Sequence, residues 1–370
     1  MSDLATGIGM DEARRRFHVL HEIVSAARAN LDQNIWDYMR GATETETTAK
    51  RNRQALDRVA LRPRVLRDVR NIDCFGSFLG TKLRIPVLLA PIGSLESFDP
   101  HGGTAAMQAA ARHDVALMLS SVGAVSLEEV AKVEGGYKIA MLYKRGDRQS
   151  MDDYVKRAID AGYASFCLTV DSAIYSRRER DIANRFIKPW RSGDGAEWQA
   201  ALNWDDIKHY KDTFEMPLIL KGIATAEDAA IAVDHGVDCV YVSNHGGRQL
   251  DHGRGSLDVL PEVVEAVGGK AEIAVDGAFN RGTDVIKAIA MGADIVGLGR
   301  MLCCGLAAGG ADGCARMLEL LEEEIYTSLG LLGVTSLDQL DQSYLHPAEP
   351  VDAAHVHSAF PLLGPRAWPY

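Results

Sequence analysis

The chain has no uninterrupted apolar run near the roughly 20 residues a membrane-spanning helix needs, and its first residues, MSDLATGIGMDEARRRF, contain no apolar signal core. Cysteine is sparse: six are scattered without CxxC spacing, and Cys167 and Cys239 sit inside the apolar runs SFCLTV and DCVYV. That usage argues against a disulfide framework or a zinc ribbon and for buried free thiols in a reducing compartment, so the cytoplasm is the expected location. Positive charge is in deficit. Lys+Arg number 40 against 51 Asp+Glu over 370 residues, a net charge of −11, which leaves no electrostatic footprint for nucleic acid or an anionic membrane. At 47% hydrophobic and 25% charged residues, disorder, collagen and coiled coil are excluded for the bulk of the chain.

What the chain does have is a recurring unit. Short, nearly continuous apolar runs occur at VLLAP (87–91), ALMLS (116–120), KIAMLY (138–143), SFCLTV (165–170), PLILK (217–221), DCVYVS (238–243), EIAVD (272–276) and DIVGL (294–298). Runs without polar alternation fit strands buried on both faces of a parallel sheet. Between them lie segments of helical spacing, among them 104–114, 151–162, 226–236 and 281–292. Eight such units predict an α/β fold, a (β/α)8 barrel over 86–343. An N-terminal helical extension, 1–85, carries predicted helices at 11–29, 31–41 and 47–59, and MLELLEEEIYTSLGLLG predicts a helix behind the barrel. The Pro-rich tail, 344–370, reads as a flexible or surface-wrapping arm. The one long internal connection, from Asp171 to Asn203, holds Trp190, Trp198 and the stretch RSGDG.

In a barrel of this kind chemistry gathers at the C-terminal ends of the strands. Those ends supply Tyr143, Asp171, Lys221, Ser243 to Arg248, Asp276 and Arg300. The glycines of DGAFNRGTD and GLGR, after the last two strands, suit a phosphate held by backbone N–H groups, with Arg300 adding charge. SNHGGRQLD sets an imidazole and a guanidinium three residues apart, suited to a general base, His245, beside a carboxylate anchor, Arg248. Asp171 on a facing strand end can fix the imidazole tautomer. His355 and His357 resemble a metal pair by spacing, but their place in the tail argues against a metal site.

At these residues the sequence resembles the FMN-dependent α-hydroxy acid oxidases and dehydrogenases. WDYMRGA, LRPRVLRDV, LSSVGAVSLEEVA, LTVD, RRERDIANRF, LKGI, SNHGGRQLD, DGAFNRGTDV and GLGR carry the likeness. The resemblance implies FMN as cofactor, a small carboxylate substrate and oxidation of an L-2-hydroxy acid to the 2-oxo acid. It makes His245 the base, paired with Asp171. Arg248, Tyr38 and Arg178 would hold the substrate, Tyr143 its oxygen, and Lys221 the flavin. Ala90, Pro91, Ile92, Gly93, Ser120 and Thr169 would line the flavin ring, and Asp276, Gly277, Gly299 and Arg300 would hold its phosphate. Met141, Ser243 and Arg281 fall on the cofactor side as well.

Departures accompany the match. Met141 stands where the family usually has glutamine, and Asn280 where it has an arginine of the phosphate turn, with Arg281 only beside it. Val122 and Gly123 replace a usual aromatic region and Tyr175 a leucine-like position, which redistributes volume on the substrate side. A larger or 2-amino-acid-derived substrate is therefore an alternative. Others are a barrel aldolase with Lys221 as Schiff-base amine and a flavin-binding protein without catalysis. The loop after RRERDIANRF, shorter than in many members of the family, and the acidic surface favour oxygen over a membrane quinone as acceptor, and the family implies a homotetramer.

Overall fold

The computed structural model describes residues 7–186 and 195–363. Trp190, the stretch 191–194 of RSGDG and the end of the tail, 364–370, lie outside the described residues. Eight parallel strands close into a barrel: Val87–Leu89 (β1), Ala116–Ser120 (β2), Tyr137–Leu142 (β3), Ser165–Thr169 (β4), Leu218–Ile223 (β5), Cys239–Val242 (β6), Glu272–Val275 (β7) and Ile295–Leu298 (β8). Each falls on one of the eight apolar runs. The ring closes where Val296, Gly297 and Leu298 pair with Val87, Leu88 and Leu89.

The missing alternation has a direct cause, because both strand faces are covered. Leu88, Met118, Ile139, Met141, Ile219 and Tyr241 fill the barrel interior, while Leu89, Leu117, Leu168, Leu220 and Val240 pack outward against helices. All six cysteines are buried and free. No helix among the described residues is long and apolar enough to cross a membrane.

The extension forms four helices, Met10–Arg16 (α1), Leu20–Asn30 (α2), Gln33–Arg40 (α3) and Thr47–Asp57 (α4). The single helix expected over 11–29 is thus interrupted. Arg316 Nε donates to the Phe17 carbonyl at 2.9 Å, and the Glu22 carboxylate accepts from the His18 and Val19 N–H groups, so tertiary and capping bonds replace the helical ladder there. Behind the barrel a helix over Arg300–Leu332, kinked at Gly309 and Gly310, includes the expected segment.

The tail is not loose over its described length. Leu345–Pro347 pairs antiparallel with Val59–Leu61, and further along His357 and Phe360 are only 4% and 2% exposed. It wraps the molecule and ends against the extension. No group of three His, Cys, Asp or Glu able to hold a metal occurs among the described residues.

The extension is fastened to the barrel by a buried ion pair. Arg53 of α4 meets Asp284 in two parallel bonds, both 2.8 Å, and Asp284 also accepts from the backbone N–H groups of Asn280 and Arg281. Burial opposes ionisation of the carboxyl, but Arg53 outweighs it and holds its pKa below the usual range. Asp284→Ala leaves the buried guanidinium with Asp57 alone, 2.7 Å away, and removes the acceptor of two backbone N–H groups; it is expected to lower stability by about 3 kcal/mol in urea unfolding. Replacing both partners by Met and Leu, which keep the volume, should cost clearly less; equal losses would show that the bonds of the pair, and not the charge left behind, carry the stability.

Candidate active site

The ends of the barrel strands open into a cavity of about 350 Å³. It is walled by β-strand ends on one side and by α3 and the loops after β1 and β4 on the other.

His245 follows β6 in a left-handed conformation, φ 60°, fixed because its N–H donates to Ser243 Oγ at 3.0 Å. The turn continues through Gly247, where a Cβ would lie 2.5 Å from the Ala49 nitrogen; only glycine lets α4 pack so close. On the facing side, Gly222 at the β5 bulge would meet the Asp171 Cβ at 2.6 Å, so its bare backbone admits Asp171. The result is a relay of three groups. Asp171 Oδ1 lies 3.0 Å from His245 Nδ1, and His245 Nε2 lies 3.2 Å from the Tyr143 hydroxyl. A carboxylate at Nδ1 requires the proton there, which leaves Nε2 as the acceptor.

The electrostatics suit a base. Burial pushes the His245 pKa down, and Asp171 offsets only part of this, so the imidazole is neutral at pH 7. Burial pushes Asp171 up, but His245 and then Lys221 outweigh it, and its carboxyl stays below the usual range. Tyr143 is raised by burial and by Asp171, and remains a phenol.

Lys221 at the end of β5 has the opposite outcome. Its ammonium lies 2.9 Å from Ser243 Oγ and 3.2 Å from Asp276 Oδ2, and Ser243 Oγ donates to Asp276 Oδ1 at 2.6 Å. Burial favours loss of its proton, yet Asp276 and Asp171 prevail and keep the pKa above that of an ordinary lysine. An amine held in its charged form by Asp276 and Asp171 is disfavoured as a Schiff-base nucleophile, against the aldolase alternative.

Three arginines complete the mouth, and none of them pairs with a carboxylate among the described residues. Arg248 Nη1 donates to the carbonyls of Tyr38 and Gly41, both at 2.7 Å. Arg300 donates to the Met39, Gly41 and Gly246 carbonyls at 3.1–3.2 Å. Arg178 is 7% exposed, lies over the Tyr175 ring at 4.9 Å, and its Nε has no hydrogen-bond partner among the described residues. Burial, then Arg178, lowers the Arg248 pKa, and burial, then Arg248, lowers that of Arg300 to about 10. Arg145 and Lys144, the latter paired with Asp206, line the wall too, so among the described residues the cations of the mouth outnumber its carboxylates, Asp276 and the nearby Asp171.

That excess fits a doubly charged phosphate group together with a carboxylate substrate. The buried Thr169 Oγ1, without a partner among the described residues and in register with Lys221, is a further polar atom suited to a flavin edge.

The cavity brings together most of the residues expected from sequence. Tyr38, Ala90, Pro91, Ile92, Gly93, Val122, Tyr143, Tyr175, Arg178, Lys221, His245, Arg248, Asp276, Gly277, Gly299 and Arg300 line it. Asp171 and Ser243 stand behind His245 and Lys221 rather than on the wall. Ser120 and Thr169 lie buried at the ends of their strands, and Met141 is enclosed in the barrel interior. Arg281 is turned away: its guanidinium pairs with Glu324 at 2.6 Å and donates to the Ala359 carbonyl at 3.1 Å. Asn280 lines the cavity in its place. Phe98, Cys303 and Val356 also line the wall without a local signal in the sequence; Gln249 lines it too, within the SNHGGRQLD turn but not singled out there; Val356, in the tail, lies far from any strand end.

Comparison with known proteins agrees with this geometry. The model of a family described as FMN-dependent dehydrogenase matches residues 27–196 and 191–347. An L-lactate oxidase from a Nostoc species is 39% identical over 355 residues, covering 88% of this chain and 97% of that protein. Glycolate oxidase 1 of Oryza sativa subsp. indica is 36% identical, covering 92% and 98%. A crystal structure of mandelate oxidase superimposes with a TM-score of 0.85 at 36% identity, over 91% of this chain and all of that one. With the cation-rich mouth, the Asp171–His245 pair and these matches in hand, the chain belongs to the FMN-dependent dehydrogenases, enzymes of the 2-hydroxy acid oxidase class that use FMN as cofactor.

Proposed function

We propose that the enzyme converts an L-2-hydroxy acid to the 2-oxo acid with His245 as base and oxygen as final electron acceptor, and that its substrates carry side chains larger than those of glycolate or lactate. The observation that carries this reading is the neutral His245, held between Asp171 and Tyr143 in the cavity where Arg178, Arg248 and Arg300 pair with no carboxylate among the described residues.

Bound FMN supplies the two-electron oxidation. The protein's share is to bind, orient and move a proton. Arg248 and Arg178 attract the substrate carboxylate, and Tyr38, whose hydroxyl donates to the Gly93 carbonyl at 3.2 Å, is placed to share it. With the carboxylate anchored, the substrate hydroxyl reaches His245 Nε2, and Tyr143 donates to the substrate oxygen. His245 takes the hydroxyl proton, and Asp171 stabilises the imidazolium that forms. Lys221, kept charged by Asp276, provides a fixed positive charge at the cavity floor. Phe98 and Ile92 supply apolar wall that excludes water.

Two features support a larger substrate. Val122 stands on the cavity wall where the family has an aromatic, and a side chain at Gly123 would approach nothing closer than Glu96 Oε2 at 3.6 Å. Tyr175 is 45% exposed at the rim beside Arg178, where its ring can meet an extended side chain. The oxidase names of the relatives support oxygen as acceptor.

Asp171→Asn is expected to slow substrate-dependent flavin bleaching about 10²–10⁴-fold in anaerobic stopped flow, by losing the tautomer and the imidazolium partner; a wild-type rate would remove the proposed pair from the mechanism. Because the His245 pKa lies below its ordinary 6.5 and the neutral form is the base, kcat/KM should be flat around pH 7 and fall only on acidification below 6.5. An acid limb centred above 6.5 contradicts this. Val122→Trp should reduce kcat/KM for mandelate and larger aryl acids by about tenfold or more relative to glycolate. Wild-type preference for glycolate over every larger acid tested would overturn the size assignment while leaving the chemistry intact.

A further inference from the structure

We infer that the C-terminal arm, residues 348–363, is a wall of the FMN site, latched to it through Asn280, and that it sets how long the cofactor stays bound. The inference rests on FMN as cofactor and adds a binding element from outside the barrel.

The arm reaches the cavity at its phosphate end. Val356 lines the same cavity as Gly277, Asn280, Gly299 and Arg300. Asn280 Nδ2 donates to the Val356 carbonyl at 3.3 Å. The next residue holds the arm from the other side: Arg281 donates to the Ala359 carbonyl at 3.1 Å, and its guanidinium lies 5.7 Å from the Phe360 ring centre. Both side chains of the turn after β7 are therefore engaged by the arm. An arginine at 280 would direct a cation into the cavity; the shorter amide instead ties down a backbone segment.

The extension provides the arm's seat. The His357 ring stacks on Trp36 of α3, centroids 5.3 Å apart and 12° from parallel, and Phe360 meets the edge of His21 of α2 at 5.4 Å. With His357 and Phe360 this deeply buried, these two rings anchor the arm to the extension.

Docking and cofactor occupancy are then linked. A cofactor phosphate at the turn and the arm share one wall, so the docked arm closes that side of the cavity, and its release opens it. Linkage makes the affinities reciprocal: the docked arm tightens FMN binding and bound FMN favours the docked arm; because the arm closes that wall, the gain is expressed as slower FMN release. The loss of the arginine cation at 280 is offset by a physical closure.

The test uses flavin release, not turnover. FMN dissociation is followed by the recovery of free-flavin fluorescence after dilution, for the wild-type protein, for Phe360→Ala and for a chain ending at Pro347. In parallel, limited proteolysis monitors cleavage within 348–363 with and without FMN. The expected result is release about tenfold or more faster in both variants, and an arm cleaved about tenfold or more slowly in the FMN-loaded wild type than in the apoprotein. Wild-type release rates in a Phe360→Ala protein whose arm is readily cleaved would overturn the proposal, as would equal arm cleavage with and without FMN. The point variant keeps the test decisive where the shortened chain does not fold. Stoichiometric FMN in the wild type separates this outcome from any failure of the cofactor assignment.

Discussion

A helix that ends without a partner for its last carbonyls must find donors elsewhere, and in this protein the donors are buried arginines of the active site. Helix α3 ends at Arg40, and the carbonyls of Tyr38, Met39 and Gly41 are taken by Arg248 and Arg300. This one arrangement does three things. It joins the N-terminal extension to the barrel mouth, positions Tyr38 beside Arg248, whose guanidinium lies 5.0 Å from the Tyr38 ring centre, and keeps the guanidinium groups charged without cancelling them with carboxylates. The carbonyl dipoles hold the arginines in place and leave their full charge for anionic ligands. Had Asp or Glu been used instead, the mouth would be anchored but electrically quiet.

The same burial yields opposite protonation states within one cavity, and the local acid decides each. His245 has one carboxylate on Nδ1, too little to overcome desolvation, and remains neutral with its lone pair toward Tyr143. Lys221 has Asp276 in contact and Asp171 nearby, which is enough, and remains an ammonium. A base and a fixed cation thus coexist at the ends of adjacent strands. Ser243 Oγ joins the two halves, accepting from both His245 N–H and Lys221 while donating to Asp276. That shared hydroxyl ties the geometry of the base to that of the cation.

Substitutions on the phosphate side are compensated at a distance. Arg281, nearest in sequence to the position of the expected arginine, is held by Glu324, so proximity along the chain did not translate into a role in the cavity. Asn280 faces the cavity and the arm together. Met141, where an amide would be expected, has become part of the barrel's apolar filling alongside Met118 and Ile139.

The eight strands, their order and the side of the barrel that carries the chemistry were legible in the sequence, because each depends on local pattern: uninterrupted apolar runs, helical spacing between them, and polar residues where the runs stop. SNHGGRQLD was legible for the same reason, since its glycines serve a turn whose backbone constraint is local. What only the tertiary structure decided are pairings across long stretches of chain. The break in the first helix depends on Arg316, roughly 300 residues away. The direction of Arg281 depends on Glu324, and the anchoring of the tail on Trp36 and His21. Composition left that tail as either a flexible or a surface-wrapping arm; two buried ring side chains, His357 and Phe360, decide for wrapping, and no local pattern records which pockets the rest of the fold will offer.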